Sequence, residues 1–341
     1  MRRKEKMSNW YSANNDNHIA VSTRVRLARN LADTPFPSLL DDAQMEQVAE
    51  KVKKAILESD TPFAKSLKYI SMKDVPDSEV YAMVERHVIS PEFASKKSGR
   101  AVIISEDESV CVMLGEEDHI RIQVILPGLN LEKAYETADK IDELLSLKCG
   151  FAFDNQLGYL TECPTNLGTG LRASVMLHLP FMESAGAVNE IADTIGKIGF
   201  TVRGMYGEGS KSKASLYQIS NQITLGITEK NAIDNLNVIT KQLIDRELNE
   251  RKRTDRIKLE DLVWRAYGIL KNQRLLSSDE MYKLVSHIKV GIAEGILPFD
   301  ETLPMRILIE TSPNMLCRFT GEKTPSERDF LRAKQVRKMI P

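Results

Sequence analysis

Arg24 and Arg26 in STRVRLARN (22–30) set two guanidiniums two residues apart. In an extended segment both point to one side. Held together they repel, and an anion with several oxygens offsets that cost, because arginine bonds phosphate bidentately. The alternative is a solvated basic strand end. In GEEDHIRIQV (115–124), taken as a strand, Ile120, Ile122 and Val124 face one way, and Glu117, His119, Arg121 and Gln123 face the other. Glu117 and Arg121 would then stand about 13 Å apart at about 3.3 Å per residue. Such a strand offers a carboxylate at one end and a phosphate-binding cation at the other. It can equally be a solvent-facing edge strand with a salt-bridge ladder.

The segment TECPTNLGTGLRASVM (161–176) places Cys163 before a proline, which biases it to extended geometry. Gly168 and Gly170 allow the backbone to approach a ligand closely. Arg172 follows, with the N–H groups of 173–176 as further donors. An isolated cysteine is usually an inert small hydrophobe, but one bracketed by charged and glycine-rich loops can be a thiolate. The loop is neither a Walker A nor a GxGxxG crossing. In VRGMYGEGSKSKASLYQISN (202–221), Arg203 leads into a loop with Gly204, Gly207 and Gly209 that carries Glu208. That composition gives a plain surface loop, or a lid that closes on a nucleotide.

The elements that must position these groups follow from periodicity. Residues 40–58 have helical spacing, with Met45, Val48, Val52, Ala55 and Ile56 on one face. Strands at 101–105, 110–114 and 118–126 form an antiparallel meander. A helix over 131–147, short strands at 151–153 and 158–162, strands at 174–179, 200–205 and 216–221, and a helix near 184–197 complete the first zone. Strands outnumber helices and rarely alternate with them one for one. That predicts an α+β fold, an antiparallel sheet flanked by helices. The charged stretch DRELNERKRTDR (245–256) is the best boundary, although it can also be a solvated helix end. Beyond it the spacing predicts helices over 259–271, with Leu259, Leu262, Ala266 and Ile269 as one stripe, over 277–295, opened by a Ser277–Glu280 capping box and closed at Gly295, and over 324–340. The expected domains are 1–250 and a small all-helical unit over 255–341.

Composition bounds the function. The 341 residues are 42% apolar and 28% charged, which argues against extended disorder. Lys and Arg total 47 against 48 Asp and Glu, a net charge of −1, so no basic excess points to nucleic acid or an anionic membrane. No apolar run approaches the roughly 20 residues of a membrane span. MRRKEKMSNW lacks the apolar stretch of a secretory signal. Four cysteines without a CxxC pair or zinc spacing indicate a reducing, cytoplasmic compartment.

STRVRLARN, HVISPEF (87–93), EEDHIRI (116–122), CPTNLGTGLRA (163–173) and RGMYGE with YQISN (203–221) resemble, in this order, the ATP:guanido phosphotransferases, the family of the creatine and arginine kinases. The resemblance covers about residues 20–248, and CPTNLGTG is highly specific. It is greatest for the bacterial McsB branch, which phosphorylates arginine in proteins. Small-substrate members carry a helical domain before the first arginine motif, for which Ser22 leaves no room, and they lack a helical C-terminal zone. That zone holds RDFLRA (328–333), which looks like the phosphoarginine-binding motif of the McsB branch. An allosteric site of Arg328, Asp329, Arg332 and Ala333 is implied. Arg328 and Arg332, four apart on a helix, would grip one phosphate together.

The resemblance implies a phosphagen-kinase-like fold and transfer of the γ-phosphoryl of Mg-ATP to a guanidino nitrogen. It carries Arg24, Arg26, Arg121, Arg172 and Arg203 onto the triphosphate, with Ser22, Thr23 and Val25 in the same motif. His87 would lie against adenine. Ala173, Ser174, Val175 and Met176, with Gly204, Met205, Tyr206, Gly207 and Glu208, would complete the nucleotide site. Mg²⁺ would be held by phosphates and water, without a protein metal site. Glu117 matches the catalytic glutamate, Glu208 the second guanidinium-binding glutamate of arginine kinases, and Cys163 the reactive cysteine in a supporting role. Gln218 stands where many members have an acid that contacts the ribose, which implies altered nucleotide selectivity. Implied partners are proteins with exposed arginine, a zinc-binding activator, a Clp-type protease in a stress response, and a second copy of the chain. Two alternatives are a kinase of a free guanidino metabolite and a non-catalytic phosphoarginine-binding regulator.

Overall fold

Val25 and Leu27 alternate with Arg24 and Arg26, and the strand that carries them, β1 (Ala20–Arg29), runs through the middle of the molecule. The structure is a computed structural model and describes residues 9–13, 18–204, 212–318, 321 and 323–341. The remaining strands are β2 (Leu67–Ser71), β3 (Ala101–Ser105), β4 (Val110–Leu114), β5 (Ile120–Pro127), β6 (Phe153–Asp154), β7 (Gly158–Tyr159), β8 (Leu171–His178), β9 (Phe200–Gly204) and β10 (Leu216–Asn221). Eight of them form one sheet in the order β2-β3-β4-β5-β1-β8-β10-β9, antiparallel at every pairing. β6 and β7 make a separate small hairpin. The fold is α+β, as the strand-rich pattern requires.

Period-two alternation gives the sheet two different faces. Val25, Leu27, Ile122, Val124, Ala173, Val175 and Ile219 point to one side, into a core shared with the helices Asp42–Leu57, Leu131–Cys149, Ala187–Gly196 and Glu229–Lys252. Arg29, fully buried at the end of β1, ties two of those helices together, with Nη2 2.9 Å from Asp142 and 3.2 Å from Glu229. The opposite face is apolar only toward its margins. Cys111 and Met113 pack there with the helices Asp77–Glu85 and Pro91–Ala94, and Val21, Ile125, Met176 and Leu216 pack with the C-terminal helices. The centre is polar.

From Arg256 onward the described elements are all helical: Arg256–Asn272, Ser278–Ala293, Leu303–Glu310, Pro313–Cys317 and Pro325–Met339. They pack on the sheet through the apolar margin at Val21, Ile125, Met176 and Leu216, and one carboxylate adds a polar fastening. Glu85 accepts hydrogen bonds from Asn314 N, Asn314 Nδ2 and Met315 N at 2.8–2.9 Å. Beside it Arg86 pairs with Glu79 and Glu108, and Arg318 with Glu79. No described helix is long and apolar enough to cross a membrane.

The charged stretch 245–256 is a helix end, the second of the two readings given for it: it closes the 24-residue helix Glu229–Lys252 and includes the Asp255 cap of the next. That helix went unseen because only a thin stripe, including Leu236, Ile239 and Leu243, is buried beneath a charged surface. The buried stripe of Arg256–Asn272 is Leu259, Val263, Ala266 and Leu270, whereas Leu262 and Ile269 are largely exposed. Ser277 accepts from Glu280 N without the reciprocal bond, whereas full capping boxes form at Asp41 with Gln44 and at Thr324 with Glu327.

Glu247 of the long helix accepts the N–H groups of Phe181 and Met182 at the start of the helix Pro180–Ser184. Burial outweighs those two bonds and pushes its carboxyl from 4.5 up to about 7. The folded protein therefore favours the protonated group. Its contribution is fully present below the unfolded value and is lost as pH rises through about 7. Glu247→Gln, which cannot ionise, should gain several degrees of Tm relative to wild type between pH 5 and pH 8. A pH-independent difference between the two melting curves would refute this assignment.

Candidate active site

The polar centre of the sheet is the floor of an open cleft of about 570 Å³. Alternation brings Arg24 and Arg26 of β1, Arg121 and Gln123 of β5, Arg172 of β8, Arg203 of β9, and Gln218 and Ser220 of β10 onto it. Register then sets them side by side: Arg26 lies between Gln123 and Arg172, and Arg24 faces Ser174. Five guanidiniums from four strands thus share one cleft.

The electrostatics are those of cations held close in partly dry surroundings. Burial, then Arg121 and Arg172, lowers Arg24 to about 10. Burial, then Arg24, Arg121 and Arg172, lowers Arg26 well below its ordinary value, against a small opposing pull from Glu116. Among the described residues, neither guanidinium has an acid or hydrogen-bond partner. A ligand with several negative oxygens removes that mutual repulsion.

Arg121 is neutralised locally. It pairs with Glu116 through Nη1 and with Glu117 through Nη2 at 3.2 Å. The expected separation of about 13 Å along a strand is therefore wrong. Residues 115–119 bend back, with Gly115 N donating to His119 O, and β5 starts only at Ile120. Gly115 enables the bend at φ 83°. His119 does not face the cleft. Its ring accepts from Leu31 N at 3.1 Å and contacts Pro35 O at 2.9 Å, and burial lowers its pKa.

Glu117, Cys163, Thr165 and Asn166 line one end of the cleft. Glu117 is half-exposed, with Asn166 Nδ2 at 3.4 Å. Cys163 has the extended backbone its proline demands and leads into the short turn Pro164–Asn166. Its Sγ lies 3.0 Å from Thr165 Oγ1. A carboxylate and a thiol beside a cation-lined floor can orient a cationic acceptor and take up a proton.

At the other end, Ser22, Arg24, His87, Ile125, Ser174, Met176 and Gln218 line a small recess. His87 has a left-handed backbone, φ 61°, and its carbonyl accepts from Gln123 Nε2 at 2.9 Å. Burial, then Arg24, drives its pKa down to about 3, so the ring is neutral. A neutral ring at the edge of a cation cluster suits a heteroaromatic base.

Other expected site residues stand elsewhere. Thr23, Val25, Ala173 and Val175 turn their side chains to the helix-covered face, and Thr23 Oγ1 donates to Gly128 O. The N–H groups of 173–176 are not open donors, because β8 is paired on both edges, with β1 and with β10. Gly168 and Gly170 permit close approach to the chain itself. A Cβ would meet Thr224 O at 2.3 Å in the first and Ala28 O at 2.6 Å in the second. Gly204 ends β9, whereas Met205, Tyr206, Gly207, Glu208 and the lid they were expected to form lie outside the described residues.

Arg328 and Arg332 do not present an open pair of cations. Arg332 is buried, with Nε on Thr311 O at 3.0 Å and Nη1 on Leu276 O at 2.8 Å and Asp329 at 2.6 Å. Arg328 donates to Lys323 O, and Ala333 is buried in the same cluster as Val336. Helical spacing alone gave no sign that one of the two arginines points inward. Sequence reasoning also missed Glu116, which binds Arg121 and Ser90, and Asn166, which reaches Glu117. The doubled acid at 116–117 was the only available signal.

Comparison with known proteins places this geometry. The model of the ATP:guanido phosphotransferase C-terminal catalytic domain matches residues 47–250, and that of the protein-arginine kinase McsB C-terminal domain matches 256–341. A protein-arginine kinase of Caldanaerobacter subterraneus is 41% identical over 325 residues, 94% of this chain and 96% of that protein. One of Halothermothrix orenii is 42% identical over 338 residues, 97% of this chain and 96% of that protein. Among solved structures, a lombricine kinase is similar in fold, with a TM-score of 0.61 at 21% identity over 70% of this chain and 69% of that one. The duplicated taurocyamine kinase of Schistosoma mansoni, bound to transition-state-analogue components, gives 0.62 at 25% identity over 76% of this chain and 39% of that one.

Proposed function

Because this chain belongs to the ATP:guanido phosphotransferase family, we propose that it is a protein arginine kinase, moving the γ-phosphoryl of ATP onto arginine side chains of proteins. The observation that carries the reading is the clustering of five guanidiniums on one sheet face with Glu117 and Cys163 at its end. The C-terminal match to the McsB group and the names of the relatives favour a protein-borne acceptor.

In this reading Arg24, Arg26, Arg121, Arg172 and Arg203 hold the triphosphate. Phosphoryl transfer needs alignment and stabilisation of charge spread over the equatorial oxygens, and fixed cations supply both. The recess at His87, Ser174 and Gln218 takes the nucleoside. Glu116 and Glu117 are both engaged by Arg121, so Mg²⁺ would be held by phosphate oxygens and water, where it neutralises charge on the nucleotide. The acceptor guanidinium lies against Glu117 and Cys163. As its nitrogen bonds to phosphorus and the bond from phosphorus to the β,γ-bridging oxygen breaks, Glu117 takes the proton and ADP departs. Glu208 is the second carboxylate for the acceptor. The catalytic unit spans 1–250 and the helical unit 255–341, with phosphoarginine bound allosterically near Arg328 once the side chains there rearrange. The wider role is to mark cytoplasmic proteins for a Clp-type protease under stress, with a zinc-binding activator and a dimeric assembly.

The test is phosphorylation of an arginine-rich protein and of free arginine with Mg-ATP, read by mass spectrometry at neutral or basic pH, where the N–P bond survives. Label on protein arginine is expected. Turnover of free arginine alone makes the chain a metabolite kinase. Binding of phosphoarginine peptides with no turnover of either acceptor makes it a regulator.

A further inference from the structure

Glu117 and Cys163 sit on two separate loops, and one buried pair joins those loops from beneath. We propose that Asn30 and Asp118 are positioning residues that fix Glu117 against Cys163 for transfer. The inference rests on the arginine-kinase reading above.

Asn30 follows β1 directly and is 1% exposed, and Asp118 is fully buried. Asn30 Nδ2 donates to Asp118 Oδ1 at 2.7 Å and to Leu160 O at 3.1 Å. Asn30 Oδ1 accepts from His119 N at 2.8 Å. Asp118 Oδ1 accepts a second bond, from Glu162 N, also at 2.8 Å. Asn30 thus grips the chain on the C-terminal side of Glu117 at two successive residues. Asp118 grips the residue before Cys163. Thr161 Oγ1 adds a bond to Cys163 O at 2.8 Å, which stiffens the same segment. Every polar atom of the Asn30 amide is used. None of these groups lines the cleft, so neither residue touches substrate.

The arrangement is costly, which argues that it does more than fill space. Burial raises the pKa of Asp118 from its ordinary value, against the lowering effect of its bonds from Glu162 and Asn30. Among the described residues, its buried Oδ2 has no hydrogen-bond partner. A buried carboxyl retained with one oxygen idle is being used for what the other oxygen joins. What it joins is the support of the acceptor carboxylate to the support of the acceptor thiol. Displacement of about 1 Å at such a pair can cost about 100-fold in rate.

The experiment is a double-mutant cycle between Asn30→Ala and Glu117→Gln, with an arginine-rich protein as acceptor. If Asn30 acts through Glu117, Asn30→Ala lowers kcat by about 30- to 100-fold. On the Glu117→Gln background it should cost less than about 3-fold. KM for ATP and the affinity for ADP stay within about 3-fold, since the bonds of Asn30 and Asp118 go to Leu160, His119 and Glu162 and to each other rather than to the phosphate cluster. Asp118→Asn keeps an oxygen for both bonds and should recover most of the rate lost in Asp118→Ala. This second comparison decides the matter if Asn30→Ala does not fold. Equal losses on both backgrounds, a loss carried by KM alone, or an Asp118→Asn no better than Asp118→Ala overturns the proposal. A readout free of turnover separates it from the kinase reading. The rate at which iodoacetamide modifies Cys163, followed by peptide mass, should change at least about 3-fold in Asn30→Ala as the loop shifts. Wild type that labels no arginine overturns the kinase reading alone, whereas an unchanged alkylation rate overturns the positioning role.

Discussion

Alanine at Glu117 should reduce arginine phosphorylation by about 10²- to 10⁴-fold, the range for loss of a positioned general base. An acceptor guanidinium has a pKa above about 12 and is a poor nucleophile until its proton leaves. Glu117 is the half-exposed carboxylate at the acceptor end of the cleft, steadied by Arg121 at 3.2 Å and Asn166 at 3.4 Å. Its loss should fall on kcat, with KM for ATP little changed, because Arg121 keeps its pairing with Glu116. Releasing Arg121 from one acid could tighten nucleotide binding, so the two constants must be measured separately. Initial rates of label on protein arginine, taken across ATP concentrations, make the check. A variant that retains a third of the wild-type kcat would show that another group takes the proton.

Arg26→Gln should do two opposite things. With one guanidinium gone from the site of developing charge, kcat should fall by about 10²- to 10³-fold, as for loss of a single preorganised donor. At the same time the unliganded protein should melt several degrees higher. Arg26 is half-buried beside Arg24, Arg121 and Arg172, all of its own sign, and a neutral amide relieves both the desolvation and the repulsion. Adding ATP should then raise the Tm of the variant less than that of wild type, since binding has less repulsion to discharge. Differential scanning calorimetry with and without nucleotide reads both effects. A variant that melts lower than wild type without ligand would mean that the arginine cluster is not strained.

Much of this site was legible because strands alternate. STRVRLARN places its arginines on one face as soon as it is taken as extended, and β1 does so. The β5 strand was half-legible. Ile120, Ile122 and Val124 enter the core as their period dictates, but the bend at Gly115 carries Glu117 off the strand and onto Arg121. Periodicity holds no information about where a strand begins. The glycines of the 163–170 loop were recognisable as sites of close approach, yet what they approach is the chain's own 224 and 28 carbonyls. That depends on partners far away in sequence. The same limit hid the fate of Arg332, whose bonds to Leu276 and Thr311 cross 56 and 21 residues. The 24-residue helix Glu229–Lys252 was lost to its own charged surface. Its buried stripe is too narrow to outweigh the charges around it.

The clamp on Glu85 has a bearing on when this protein becomes complete. Glu85 lies two residues before His87, whose left-handed backbone is in the wall of the small recess beside Arg24. The hydrogen-bond donors that hold Glu85 belong to Asn314 and Met315, which are separated from it by 229 and 230 residues. During synthesis Arg24, Arg26, Arg121, Arg172 and Arg203 leave the ribosome before Asn314 and Met315 do. A nascent chain can thus pair its sheet and gather its cations before Glu85 has these donors. Until the helix Pro313–Cys317 docks, the carboxylate beside that wall lacks the three bonds it has in the folded protein.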